Sequence, residues 1–71
     1  MVKFAERLKE LRNERYLSQM DLALETGLSQ SAITSWETGS RQPNSTAIVA
    51  LANYFEVSCD YLLGVSDEMQ T

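Results

Sequence analysis

Apolar residues in this chain recur at three- and four-residue intervals, and nowhere do they alternate with polar ones over a strand's length. That period predicts helices and leaves strands unsupported. Phe4, Leu8 and Leu11, flanked by Val2 and Ala5, mark the inner face of a first helix that fades between Asn13 and Tyr16. Lys3, Glu6, Arg7, Lys9 and Glu10 cover the rest with mixed charge, as a solvated helix face does. Ser18 starts a second helix. Its hydroxyl can satisfy free backbone N–H groups, and Asp21 sets a carboxylate near the positive end of the dipole. Leu22 and Ala23 turn inward, and Gly27 supplies a left-handed stop. Ser29 then caps a third helix, with Ile33 and Trp36 inward and Gly39 as its exit. Pro43 and Asn44 open a fourth, carrying Ile48, Leu51, Ala52 and Phe55 inward. Ser58 caps a short fifth with Leu62 and Leu63, ending at Gly64.

Helices two and three, about eight residues each with a short glycine-containing turn between them, are too closely joined to lie side by side and must cross steeply. That is helix-turn-helix geometry, over about residues 18–37. The expected architecture is all-α: five helices in one domain over residues 1–64, followed by a frayed acidic tail over 65–71.

Composition narrows the function. The chain has 71 residues, 44% of them apolar, one Cys and no His. Cys59 alone forms no internal disulfide, and without His there is neither a zinc set nor a Ser-His or Cys-His nucleophile pair. There is also no glycine-rich phosphate loop, so an enzyme is not expected. The longest apolar run, Ala47 to Ala52, falls far short of the roughly 20 residues that span a bilayer, and the charged start leaves no signal-peptide core. A cytoplasmic domain that works by binding is expected, without metal, small-molecule cofactor or membrane partner.

Charge first argues against nucleic acid: six basic residues face ten acidic ones, net −4. Position changes that. All six basic residues (Lys3, Arg7, Lys9, Arg12, Arg15, Arg41) lie before residue 42, balanced by Glu6, Glu10, Glu14, Asp21, Glu25 and Glu37. The excess resides in Glu56, Asp60, Asp67 and Glu68. A polyanion would avoid the last third of the chain and tolerate the rest.

The third helix is unusual because Ser29 to Ser35 carries no charge. Gln30, Ser31, Thr34 and Ser35 are outward, short or amide side chains that both donate and accept. A helix entering the major groove needs such a surface: slim, not repelling phosphates, offering hydrogen bonds to base edges. An ordinary solvated Ser/Thr-rich helix is the plainer alternative. Gln19, at the start of helix two, and Ser29, at the start of helix three, sit where helix N-termini suit an anion. Thr38, Ser40 and Arg41 follow helix three on a partly basic loop and complete the candidate phosphate contacts. Arg15 is a weaker one, since a cation near a helix C-terminus is favourable without any ligand.

Taken in order, these residues resemble a known family. Arg7-Leu8-Lys9-Glu10-Leu11-Arg12, Leu17-Ser18-Gln19, Leu22-Ala23, Gly27-Leu28-Ser29, Ile33, Trp36-Glu37, Gly39, Pro43, Leu51-Ala52 and Val57 to Gly64 look like the phage repressor and Cro-type, or Xre-like, helix-turn-helix regulators. The resemblance covers Ala5 to Gly64. It implies a lambda-repressor-like domain, bacterial or phage-encoded, with helix three in the major groove of double-stranded DNA and a homodimer on a two-fold operator. By position, Gln30, Ser31 and Ser35 would read bases, with Thr34 at the margin, while Gln19, Thr38, Ser40 and Arg41 would hold phosphates. It also implies that Glu37 pairs with Arg12 as a structural ion pair. Three positions depart from the family pattern. Tyr16 and Glu56 stand where Gly is common at a helix end, a left-handed strain of about 1 kcal/mol each, and Thr26 replaces an inward aliphatic.

Leu24, Val49, Tyr54 and Tyr61 are expected partly exposed, the last three as a self-association patch. The leading expectation is a sequence-specific transcriptional regulator, a repressor by occluding polymerase, with a salt slope of about −2 to −4 per subunit at −0.9 per phosphate. The alternative is a protein-interaction module of antitoxin or antirepressor type, using the acidic C-terminal helices.

Overall fold

Five helices follow one another in the computed structural model, which describes residues 2–69: α1 (Val2–Glu14), α2 (Gln19–Thr26), α3 (Gln30–Thr38), α4 (Ser45–Phe55) and α5 (Cys59–Leu63). Met1, the side chain of Val2, Gln70 and Thr71 lie outside the described residues, and with them the expected inward place of Val2 and the last two tail positions. There is no strand among the described residues.

Local chemistry sets the boundaries. Ser18, Ser29, Asn44 and Ser58 are extended at the backbone, and their side chains accept hydrogen bonds from the N–H groups of Asp21, Ala32, Ala47 and Tyr61. Each bond satisfies one orphan donor of a helix's first turn. At α2 the Asp21 carboxylate also accepts from the Ser18 backbone N–H at 3.0 Å, completing a capping box. That backbone bond, followed by the bond with the Ser18 side chain, lowers the Asp21 pKa below its ordinary value.

Every helix contributes to one core. Phe4, Leu8, Leu22, Ile33, Leu51 and Leu62 are the fully buried large side chains, and each such burial favours folding by about 1.5–3 kcal/mol. Trp36 meets Phe4 edge-on, with ring centroids 6.3 Å apart, which seats α3 on α1. α1 also packs on α5, α2 on α3 and α4, and α4 on α5.

Two arginines of the N-terminal segment serve as struts. Arg15 donates to the carbonyl oxygens of Tyr54 and Phe55 at 3.3 and 3.2 Å, at the C-terminus of α4. Arg7 donates to Tyr61 O at 2.7 Å and Ser66 O at 2.6 Å, and pairs with Asp67 at 2.8 Å. Cations at helix C-termini offset the negative end of the dipole.

These struts bear on the tail and on Tyr61. In the tail, residues 65–69 bond back to the domain: besides the Arg7 contacts, Ser58 N donates to Met69 O and Val65 N to Asp60 O. Tyr61, expected at a partly exposed position, is only 9% exposed, because its ring packs in the core cluster and the Arg7 guanidinium lies 4.0 Å over it. It does not belong to a self-association surface. Thr26 likewise does more than leave the core short of an aliphatic. Its hydroxyl donates to Leu22 O at 2.7 Å and accepts from Leu28 N at 3.3 Å, closing the end of α2.

Tyr16 and Glu56 are left-handed, at φ 57° and 58°. Substituting Glu56→Gly removes a steric cost and adds unfolded-state entropy, so a net gain of about 0.5 kcal/mol is expected, read as a thermal midpoint a few degrees higher. Gly64→Ala should act oppositely and more strongly, because its new Cβ would collide with Cβ of Lys3 at a φ of 85°. A thermal melt of Gly64→Ala matching the parent would contradict this packing.

Candidate nucleic-acid interface

Gly27, Leu28 and Ser29 form the turn between α2 and α3. Gly27 is left-handed and its N–H closes α2 onto Ala23 O, while half-buried Leu28 packs against the core. Ser29 then caps α3, its hydroxyl accepting from Ala32 N at 3.1 Å.

A hydrogen-bonded chain fixes α3 against the rest of the molecule. Arg12 Nε donates to Glu37 Oε2 at 2.7 Å and its Nη2 to Glu37 Oε1 at 2.9 Å, a bidentate ion pair. The two side chains are 12% and 4% exposed. The remaining Arg12 Nη1 donates to Leu17 O at 2.7 Å, and Leu17 N returns a bond to Arg12 O. One guanidinium thus joins α1, the link to α2, and α3. The bond to Glu37 raises the Arg12 pKa, outweighing burial, which lowers it. Gln19 Nε2 also donates to Glu37 Oε1, at 3.1 Å, and Thr34 Oγ1 donates to Gln19 Oε1.

Gln30, Ser31 and Thr34 are exposed along α3, and Ser35 is half-buried beside them. The Ser29 hydroxyl is engaged as the α3 cap. Thr38 and Ser40 gather at the far end, with hydroxyls 3.1 Å apart and both donating to Ser35 O. The backbone N–H groups of Ser40 and Arg41 reach the same carbonyl, so the loop winds tightly back over the helix end. Arg41 is exposed there and forms no ion pair among the described residues. Val49 (49%) and Leu24 (76%) are exposed, whereas Tyr54 is half-buried, its hydroxyl bonded to Glu25 at 3.2 Å.

Sequence reasoning assigned Gln19 and Thr34 to separate roles and missed that they are bonded to each other. Their side chains meet 15 residues apart, across a turn whose crossing is a tertiary property. Arg15 is exposed, and its two terminal nitrogens bond carbonyl oxygens at the end of α4.

Glu37→Ala would leave Arg12 without its carboxylate in a largely closed environment, at an expected cost of about 3 kcal/mol. On a domain of this size that is a fall of roughly 10–20 °C in thermal midpoint. Replacing both residues by apolar ones of similar volume should recover much of the loss. A single variant melting with the parent would show that the pair contributes nothing.

The helix-turn-helix family matches residues 8–62. The crystal structure of the restriction-modification controller protein C.AhdI from Aeromonas hydrophila superposes with a TM-score of 0.78 at 38% identity, covering 86% of this chain and 92% of that one. The chain is 39% identical over 66 residues to the HTH-type transcriptional regulator YqaE of Bacillus subtilis, spanning 92% of itself and 57% of that protein. It is 36% identical over 62 residues to the HTH-type transcriptional activator BcrR of Enterococcus faecalis, 87% of this chain and 30% of that one. The chain therefore spans little more than half of the first relative and under a third of the second. Family match, five-helix architecture and close structural neighbour agree: the chain belongs to the helix-turn-helix family, a class of DNA-binding transcriptional regulators and not of enzymes.

Proposed function

We propose that this domain is a sequence-specific regulator of transcription that binds double-stranded DNA with α3 in the major groove. The observation that carries the reading is the outward face of α3: Gln30, Ser31 and Thr34 are exposed, uncharged and hydrogen-bonding, on a helix locked to α1 through Arg12 and Glu37. Gln30 suits adenine N6 and N7, and serine hydroxyls suit either donors or acceptors on base edges. Ser35, at the half-buried margin, completes the reading set. Arg41, Thr38, Ser40, Gln19 and Ser29 are the proposed phosphate contacts, the last through its place at the α3 N-terminus.

A homodimer on a two-fold operator follows from the energetics. One slim face whose cation, Arg41, makes no ion pair among the described residues offers few contacts, and linking two half-sites multiplies effective concentration. Val49 and Leu24 are exposed apolar positions available for such pairing. Repression by occluding polymerase is the output that needs only DNA occupancy. The activator among the relatives makes a direct polymerase contact the alternative output. A cytoplasmic location, where the DNA of a bacterium or phage is accessible, goes with this reading. A protein-interaction role through exposed Glu56, Asp60 and Glu68 is the competing reading, favoured by their acidity.

Because Arg7, Arg12 and Arg15 are engaged internally, the salt dependence should be shallower than the count of basic residues implies, about −1 to −2 per subunit in log–log slope. Arg41→Ala should reduce the slope's magnitude by about 1 and weaken all sequences alike, whereas Gln30→Ala should relax preference at one base position. Filter binding on a selected operator across a salt series measures both. Unchanged DNA binding in the double variant, with loss of a protein partner, would favour the interaction reading instead.

A further inference from the structure

The hydrogen-bonded chain that begins at Arg12 has only one possible polarity, and it ends on a residue of the proposed reading face. A guanidinium only donates and an ionised carboxylate only accepts. The Gln19 group 3.1 Å from Glu37 Oε1 is therefore its NH2. That orientation turns Gln19 Oε1 towards Thr34, and an amide oxygen only accepts. The Thr34 hydroxyl consequently spends its single proton on Gln19, 15 residues away. A threonine in mid-helix ordinarily bonds the carbonyl four residues back in its own helix; here the bond crosses to α2. What Thr34 presents outward is its methyl group and hydroxyl lone pairs. Ser31, exposed on the same helix with no side-chain partner among the described residues, keeps both roles.

We propose that Thr34 is a specificity-determining residue held as a hydrogen-bond acceptor by the Arg12–Glu37–Gln19 chain, selecting a half-site base with an exocyclic amino group towards it. This rests on the reading that α3 enters the major groove. Adenine N6 and cytosine N4 present a donor there, whereas guanine O6 and thymine O4 present lone pairs. A free hydroxyl would turn to suit either class; this one, committed inward, sets lone pair against lone pair at a keto base.

The test begins with selection of sites from random DNA by the unmodified protein and by Thr34→Val. The half-site position whose preference differs is then examined with four DNA duplexes that vary only there, competed within one reaction. Ratios taken inside each protein cancel any general change in affinity. The unmodified protein should favour adenine or cytosine about three- to tenfold, the range of one neutral hydrogen bond. Thr34→Val should flatten that preference and Thr34→Ser should retain it. Gln19→Ala should admit guanine and thymine, because the hydroxyl is then free to donate. Circular dichroism melts establish that each variant is folded. A preference for keto bases at that position, no position responding to Thr34→Val, or an undiminished amino preference in Gln19→Ala each overturns the proposal while leaving DNA reading by α3 intact. Failure of the unmodified protein to select any sequence overturns that reading and this inference with it.

Discussion

The Arg12–Glu37 pair is the interaction on which the rest of the structure depends. A five-helix domain of this size has a small core and a stability of only a few kcal/mol. Apolar packing tolerates small slides of one helix on another, but a bidentate pair of limited exposure does not. Its donors and acceptors meet in one register, with the third guanidinium nitrogen occupied by Leu17 O. Burying ions costs desolvation, and an apolar substitute is often as stable. The value of the pair here is positional: it sets α3 relative to α1 while Phe4 and Trp36 supply the burial alongside.

The arginines around this pair give the net charge its meaning. Arg7 and Arg15 bond the C-terminal carbonyls of α5 and α4, helices that carry no basic residue in their own last turns. The bond between Arg7 and exposed Asp67 adds little by itself, because water screens it; the carbonyl bonds and the Tyr61 ring hold the guanidinium. Half the chain's cations are therefore part of the scaffold. The acidic excess sits at the end of α4, on α5 and in the segment after them, leaving Arg41 beside the uncharged outward face of α3.

Helix starts and stops were legible because their chemistry is local. A Ser or Asn cap bonds a group three residues away, and a Gly at the stop needs no partner at all; Ser18, Ser29, Asn44, Ser58, Gly27, Gly39 and Gly64 all lie at observed helix boundaries. The inward faces were legible for the same reason. What could not be read was the use of side chains whose partners are distant along the chain. Arg7 reads as a solvated helix residue, yet it reaches groups 54 to 60 positions away. The same residue covers the Tyr61 ring at the edge of the core and bonds Ser66 and Asp67 in the segment after Gly64, contacts that no local pattern announces. Gln19 and Thr34 fall between the two cases: both were recognisable as polar groups on the candidate interface, but their mutual bond depends on how α2 crosses α3.

The scarcity of free cations and the fixed hydrogen-bond chain bear on one physical problem. A protein that gains most of its DNA affinity from phosphates binds all sequences nearly alike, because phosphates carry no sequence information. A domain that commits three of its four arginines to its own scaffold gives up much of that general affinity, and the contrast between right and wrong sites then rests on neutral groups. Neutral hydroxyls discriminate poorly while they can rotate, since they satisfy donors and acceptors equally. Committing a hydroxyl's proton to a scaffold anchored on a buried ion pair removes that freedom. The interaction that holds α3 in place also limits what α3 can recognise, so the internal use of charge and the selectivity of the exposed face are two consequences of the same arrangement.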